Sequence, residues 1–474
     1  MTGHVTLPLW LAVVLLLLAA WAALERLLIP SVRWFLRRRV NRFVEEISKR
    51  LHLEIHPFAL TRRQVLIDRL MYDPRILEAA GARARENNMP RDVVMAEVER
   101  YTREIVPSFN AYAYFRVGYW LARKAARLLY RVRVGIADEP GLSRVGPKSS
   151  VVFVMNHRSN MDYILVAYLA ATRTALSYAV GEWARIWPLQ TLIRSMGAYF
   201  IRRSSGNPLY RLVLERYVHM ATRSGVVQAI YPEGGLSRDG SLRPPKLGLL
   251  DYMVRSFNPE GDRELVFIPV GINYDRTLED RSLLAELSPG VRKRSLAYVI
   301  RTSLLFLLRN LYQMVRGQWY RFGYACVNFG SPVFLKEYCG NRGVDFRSMQ
   351  KEERFGQVES LAVRLMSEVG KVIPVLPVSL VATVFLQQTG NGLSGLELKA
   401  EALRLINTLK GAGAHIYIPR KDQDYAIEVG LRMLTLRRLV EEADGLFLAR
   451  PEELPLLRYY ANAIRHLLPA GPPS

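Results

Sequence analysis

From residue 130 onward the chain repeats one arrangement that few folds accommodate: a short apolar run, a helical stretch, then another apolar run. The runs lie at 131–136, 151–155, 198–201, 226–231, 265–270 and 325–329. Each is too short for a typical buried helix and is bounded by turn or helix signals, so each is predicted to be a strand. Strands alternating with helices predict an α/β domain with helices packed on the sheet.

At 474 residues the chain exceeds the usual size of one domain, which predicts a main domain with helical additions. Apolar periodicity in Val40, Phe43, Val44, Ile47 and Leu51, and again in Tyr112, Phe115, Tyr119 and Ala122, predicts helices between residues 31 and about 133. Helical periodicity resumes from about residue 388. The expected organisation is a transmembrane anchor at 1–30, a helical accessory region at 31–133, an α/β domain at 134–340 and a mainly helical C-terminal region at 341–474.

Residues 5–24 contain no charged side chain, enough apolar length to cross a bilayer as a helix. A cleaved leader and a buried core helix are the competing readings. Arg33, Arg37, Arg38, Arg39 and Arg42 follow the run and no Lys or Arg precedes it, which favours a retained anchor. By the positive-inside rule the bulk of the chain then lies in the cytoplasm, on the inner face of the membrane. Two later segments stay open. Residues 291–321 are basic and amphipathic, suited either to lying on a membrane or to packing on a core. Residues 372–386 are apolar but interrupted by Pro374 and Pro377, and read as buried or interfacial.

Lys and Arg number 66 against 43 Asp and Glu, a formal charge of +23 that favours anionic partners. No RNA- or DNA-binding motif accompanies the charge, so nucleic acid is not expected, and acidic lipid or phosphorylated substrates are. The two cysteines, Cys326 and Cys339, fit neither a disulfide framework nor a zinc site. No metal or cofactor is implied.

The chemistry gathers at the ends of predicted strands. The run at 151–155 is followed by Asn156 and His157, with Asp162 five residues beyond the histidine. An imidazole at a strand end, with a carboxylate on the following helix to hold its far nitrogen, suits general-base catalysis. The run at 198–201 ends in Arg202 and Arg203, whose planar forks suit phosphate. The run at 226–231 leads into Pro232-Glu233-Gly234-Gly235-Leu236-Ser237-Arg238, where the glycines let backbone N–H groups approach an anion. Glu233 stands ready to bind a substrate hydroxyl or to orient an arginine. Pro269 interrupts the run at 265–270 and suggests a strand edge or bulge there.

In order and content these four segments resemble the glycerol-phosphate acyltransferase family, whose blocks are His-x4-Asp, Gly-Ala-x-Phe-Ile-Arg-Arg, a Glu-Gly-Gly loop and a Pro-Val strand. They are most similar to the membrane-bound glycerol-3-phosphate 1-O-acyltransferases and the related dihydroxyacetone-phosphate acyltransferases. The resemblance covers residues 156 to about 276 and extends weakly to about 385. It implies an acyltransferase domain with a mixed sheet flanked by helices, and transfer of a fatty acyl group from acyl-CoA or acyl-carrier protein to glycerol-3-phosphate at a membrane. Residue by residue, it implies His157 as the base and Asp162 as its partner. It likewise implies that Arg202, Arg203, Glu233, Gly234, Gly235 and Arg238 contact the glycerol-phosphate and that Pro269 shapes the acyl side. Two positions depart from the family. Asn160 stands where a second histidine is common, and Leu236 where an arginine is, the latter leaving the acceptor open between glycerol-3-phosphate, dihydroxyacetone phosphate and a lysophospholipid. A basic, membrane-tethered binding protein without catalysis is the rival from another class.

Overall fold

Period-two alternation builds the centre of the molecule. The structure, a computed structural model, describes residues 61, 63–110, 114, 118–170, 176–181, 189–202, 205–287, 322–388, 390 and 392–469. The expected anchor at 5–24 and the basic stretch at 291–321 lie outside the described residues, among which no helix is long and apolar enough to cross a membrane.

Strands β1 (Arg131–Ala137), β2 (Ser150–Met155), β3 (Ser177–Val180), β4 (Tyr199–Phe200), β5 (Gln228–Ile230), β6 (Leu265–Tyr274), β7 (Tyr324–Phe329) and β8 (Val333–Phe334) form one sheet in the order β1-β7-β6-β2-β5-β3-β4, with β8 also on β6. Strands β6, β2, β5, β3 and β4 run parallel, while β7 and β8 oppose β6 and β1 follows β7. The sheet is therefore mixed. Six of the strands coincide with the predicted runs; β3 and the two-residue β8 carry too little apolar sequence to stand out.

Successive side chains of a strand point to opposite faces. On one face Val152 and Val154 of β2 join Leu265 and Phe267 of β6 in a core with helices α1 (Arg63–Met71), α2 (Pro74–Glu86) and α3 (Arg91–Ile105). Helix α4 (Tyr119–Leu129) and the short α5 (Glu139–Ser143) flank β1 in sequence. On the other face Val266, Ile268, Val270 and Ile272 pack with Met161, Leu165 and Val166 of α6 (Met161–Ala170). Each such side chain contributes roughly 1.5–3 kcal/mol on burial.

After α7 (Leu189–Ser195), helix α8 (Pro208–Arg223) starts on a strong signal. The Asn207 side chain accepts from the backbone of Leu209 at 3.0 Å and of Tyr210 at 3.3 Å, and Pro208 needs no hydrogen-bond partner at the first helical position. Helix α9 (Gly248–Val254) follows β5, α10 (Asp280–Ala285) follows β6, and α11 (Leu335–Arg342) and α12 (Lys351–Lys371) follow β8. Val358, Leu361, Leu365 and Val369 of α12 belong to the same core as α1–α3, so the helical layer on this face draws on chain from both ends.

Helix α13 (Pro377–Gln387) is buried continuously over residues 377–385, which resolves the apolar segment at 372–386 as buried. Around it pack α14 (Gly395–Gly411), α15 (Gln423–Leu436) and α16 (Leu454–Ala461) in a second core. A small antiparallel sheet of β9 (Leu393–Ser394), β10 (Val440–Ala443) and β11 (Leu446–Ala449) sits within this otherwise helical region. Strand β6 is where the two cores meet. Asn273 donates to Pro374 O at 2.9 Å, and the buried Asp275 accepts from the backbone of Tyr324 at 2.7 Å and of Val378 at 3.1 Å. Burial pushes the Asp275 carboxyl up to about 7.

Pro269 sits inside this central strand, opposite Val154 of β2. On the far side of β6, β8 pairs at Val266 and Phe267, and β7 pairs only from Val270 onward. The Pro269 carbonyl accepts from Gly330 at 2.8 Å on that side. A residue's N and C=O share a side of the strand, so the missing donor faces the gap between β7 and β8, a local edge within a central strand.

Candidate active site

The carboxyl ends of four parallel strands, β2, β3, β4 and β5, converge on one cavity, the position where ligands bind in open α/β sheets. The cavity has a volume of about 230 Å³ and is lined by His157 beyond β2, Gly181 beyond β3, Arg202 beyond β4, and Gly234 and Gly235 beyond β5.

His157 reaches it because Asn156 extends the ladder beyond β2. The Asn156 side chain accepts from Ile272 N at 2.8 Å and donates to Ile272 O at 2.9 Å, as a paired strand residue would. The backbone of His157 is then held on both sides by the Glu-Gly-Gly loop. Its N–H donates to Glu233 Oε1 at 2.8 Å and its carbonyl accepts from Ser237 N at 2.9 Å.

His157 Nδ1 lies 2.8 Å from Asp162 Oδ2. That oxygen also accepts from the backbone of Arg158 at 2.8 Å and of Ser159 at 3.1 Å, while Oδ1 accepts from the Tyr274 hydroxyl at 2.7 Å. Surrounded by donors, the carboxylate acts as an acceptor, so Nδ1 carries the proton and Nε2 presents its lone pair. The Tyr163 hydroxyl is 3.4 Å from Nε2, and the Tyr231 ring stacks on the imidazole at 4.1 Å between centroids. Burial, reinforced by the Asp162 charge, raises the Tyr231 and Tyr274 hydroxyls well above the usual phenol value, so both stay neutral.

The other expected site residues divide. Arg202 lines the cavity, and Glu104 of α3 holds it through Nε–Oε1 at 2.9 Å and Nη2–Oε2 at 2.6 Å. The rings of Tyr101 and Tyr210 lie 5.3 and 5.2 Å from its guanidinium carbon. Arg203 lies outside the described residues. Gly234 and Gly235 line the cavity, and Gly234 has φ +69°, a conformation that favours glycine.

Glu233 differs from the expectation of a substrate contact. It is 2 % exposed, and its second oxygen accepts from Arg243 N at 3.1 Å, so both oxygens are taken by backbone amides. It fastens the loop to His157 instead. Burial pushes its carboxyl up to about 7. Arg238 pairs with Glu286 at 3.3 Å, with both side chains half exposed, and is not in the cavity wall. Pro269 is within the sheet and is likewise absent from the wall. Leu236 packs against the C-terminal core, and Asn160 donates to Glu279 through its backbone and its side chain at 3.2 and 3.1 Å.

Several supporting residues were not anticipated. Asn156 and Tyr231 lie inside or beside the quoted segments, where their types alone carried no signal. Lys246 and Tyr274 also lie within the stretch the resemblance covers, and Glu104 reaches the site only through packing.

Two family models match. One, described as acyltransferase, covers residues 138–273, and the other, described as glycerol-3-phosphate acyltransferase C-terminal region, covers 308–470. The second description names the glycerol-3-phosphate acyltransferases, to which the chain is similar. Glycerol-3-phosphate acyltransferase of Pseudomonas syringae is 27% identical over 424 residues, 86% of this chain and 49% of the relative. That of Pseudoalteromonas atlantica is 27% identical over 422 residues, 86% of this chain and 50% of the relative. The chain thus spans about half the length of these curated relatives. Among solved structures, the 1-acyl-sn-glycerophosphate acyltransferase PlsC from Thermotoga maritima aligns at 18% identity with a TM-score of 0.31, covering 54% of this chain and 79% of that one.

Proposed function

We propose that this chain is a glycerol-3-phosphate 1-O-acyltransferase, taking the acyl group from acyl-CoA or acyl-carrier protein and forming lysophosphatidate. One observation carries it: His157, oriented by a buried carboxylate, lines a cavity that has both cationic groups and apolar wall from Ile201, Leu214 and Leu249. As the 1-hydroxyl oxygen bonds to the thioester carbonyl carbon, its proton passes to Nε2, and Asp162 stabilises the imidazolium. The tetrahedral intermediate expels the thiolate, which takes the proton back, leaving the ester and a free thiol. Positioning and proton transfer suffice, because a thiolate is a good leaving group.

The same proposal includes a membrane anchor at residues 5–24, which would hold the catalytic part at the cytoplasmic face where the product enters the bilayer. Support comes from the uncharged length of that run and the arginines after it.

The test is thiol release from palmitoyl-CoA by the detergent-purified full chain, with and without glycerol-3-phosphate, compared with His157→Ala. Acceptor-dependent release should fall by roughly 10²-fold or more in the variant. Release that persists without His157 rejects the base. An absence of release with acyl-CoA and acyl-carrier protein donors, across glycerol-3-phosphate, dihydroxyacetone phosphate and lysophosphatidate, favours a binding protein.

A further inference from the structure

Lys246 enters the cavity from the loop between β5 and α9 and lies across Gly234. Its backbone N–H donates to Pro232 O at 2.7 Å, which fixes its Cα beside the Glu-Gly-Gly turn. A Cβ built on Gly234 would stand 2.6 Å from Lys246 Cδ and 3.3 Å from Nζ. The lysine stem therefore rests on the glycine, in the space any side chain there would fill, and carries the ammonium along the wall of the cavity that His157 also lines.

The cations of that wall differ in what already occupies them. Arg202 is neutralised by Glu104 through two hydrogen bonds, whereas Arg211 keeps its charge but is exposed, its Nε–H held at 2.8 Å by the neutral Ser205 carbonyl. Lys246 has no acidic partner among the described residues. With the Arg202 charge offset, a phosphate entering the cavity needs another positive charge close to the base. A lysine serves as a compact point charge for that purpose and does not require bidentate geometry.

We infer that Lys246 binds the phosphate of the acyl acceptor and fixes its free hydroxyl relative to His157, a role that rests on the acyltransferase reading. Gly234 is then needed twice, for its left-handed backbone and for the space that the lysine occupies.

The experiment measures steady-state kinetics of the full chain, wild type against Lys246→Met and Lys246→Arg, after thermal unfolding confirms that the variants fold like the wild type. Lys246→Met should raise the KM for glycerol-3-phosphate roughly 10- to 100-fold, the range for loss of a charged hydrogen bond. The KM for palmitoyl-CoA should change less than about 2-fold, and Lys246→Arg, which keeps the charge, should recover most of the loss. An unchanged acceptor KM overturns the inference and leaves the proposed function standing. A rise confined to palmitoyl-CoA also overturns it and assigns the lysine to the donor. If the wild type uses lysophosphatidate or dihydroxyacetone phosphate instead, the proposed acceptor fails, and the same comparison made with that substrate decides the role of Lys246. If the wild type transfers to no phosphorylated acceptor, both fail.

Discussion

His157 donates its backbone N–H to the Glu233 carboxylate at 2.8 Å, so the histidine of the first segment is held by the acid of the third. Neither residue is within reach of the other along the chain. The contact keeps the imidazole at the cavity while placing an acidic group in a nearly dry site, and it carries a dependence on pH.

Burial raises the Glu233 carboxyl to about 7, above its ordinary value of 4.5. The folded state thus binds the proton more tightly than the unfolded state. The resulting stability is fully present below about pH 4.5 and is lost as pH rises through about 7, a loss of order 3 kcal/mol. Asp275 has the same sign, with its value raised to about 7. Chemical unfolding of wild type and Glu233→Gln at pH 5 and pH 8 should show a smaller difference between the two pH values in the variant. An equal difference would remove Glu233 as a source of the dependence.

Asp162 accepts from both the His157 ring and the Tyr274 hydroxyl, and the two contacts differ in importance. Asp162→Asn removes the charge that selects the histidine tautomer and should lower kcat by about 10³- to 10⁴-fold. Tyr274→Phe removes one neutral donor and should cost about 10-fold. Both should leave the KM for the thioester nearly unchanged. Comparable losses in the two variants would mean that the tyrosine acts by more than orienting the acid.

Gly240, in the loop after Arg238, packs directly on α16. Its φ is +87°, and an added Cβ would stand 1.9 Å from the carbonyl oxygen of Tyr459. Gly240→Ala should destabilise the fold by about 3 kcal/mol or more, because backbone must move on both sides. Gly356, exposed within α12, has nothing within 4 Å of the same position, and Gly356→Ala should add about 0.5–1 kcal/mol. Unfolding midpoints of the two variants, moving in opposite directions, check the contact between the C-terminal helices and the catalytic loop.

The parts of the fold that were legible are those written in local periods. Strands β2 and β6 announce themselves because one run of alternating side chains serves two cores, and α8 because Asn207 and Pro208 mark its start. Strand β3 and the β9–β11 sheet escaped notice, being short and set among polar or helical sequence. At the site, His157 and Asp162 were legible because five residues span a strand end and the first turn of α6. The role of Glu233 was not, since a carboxylate next to two glycines looks the same whether it faces a ligand or two backbone amides.

Side-chain spacing over a few residues was enough to read the α/β class, where most strands lie along the chain and the His157–Asp162 pair. Only the tertiary structure decided what supports the pair and what surrounds the cavity. Tyr274 lies 112 residues from Asp162, Glu104 lies 98 residues from Arg202, and Tyr459 meets Gly240 from another core. Such contacts depend on strand register and helix packing, and a hydrogen bond or an ion pair forms only when separate elements arrive within about 3 Å of each other. No local period records that distance.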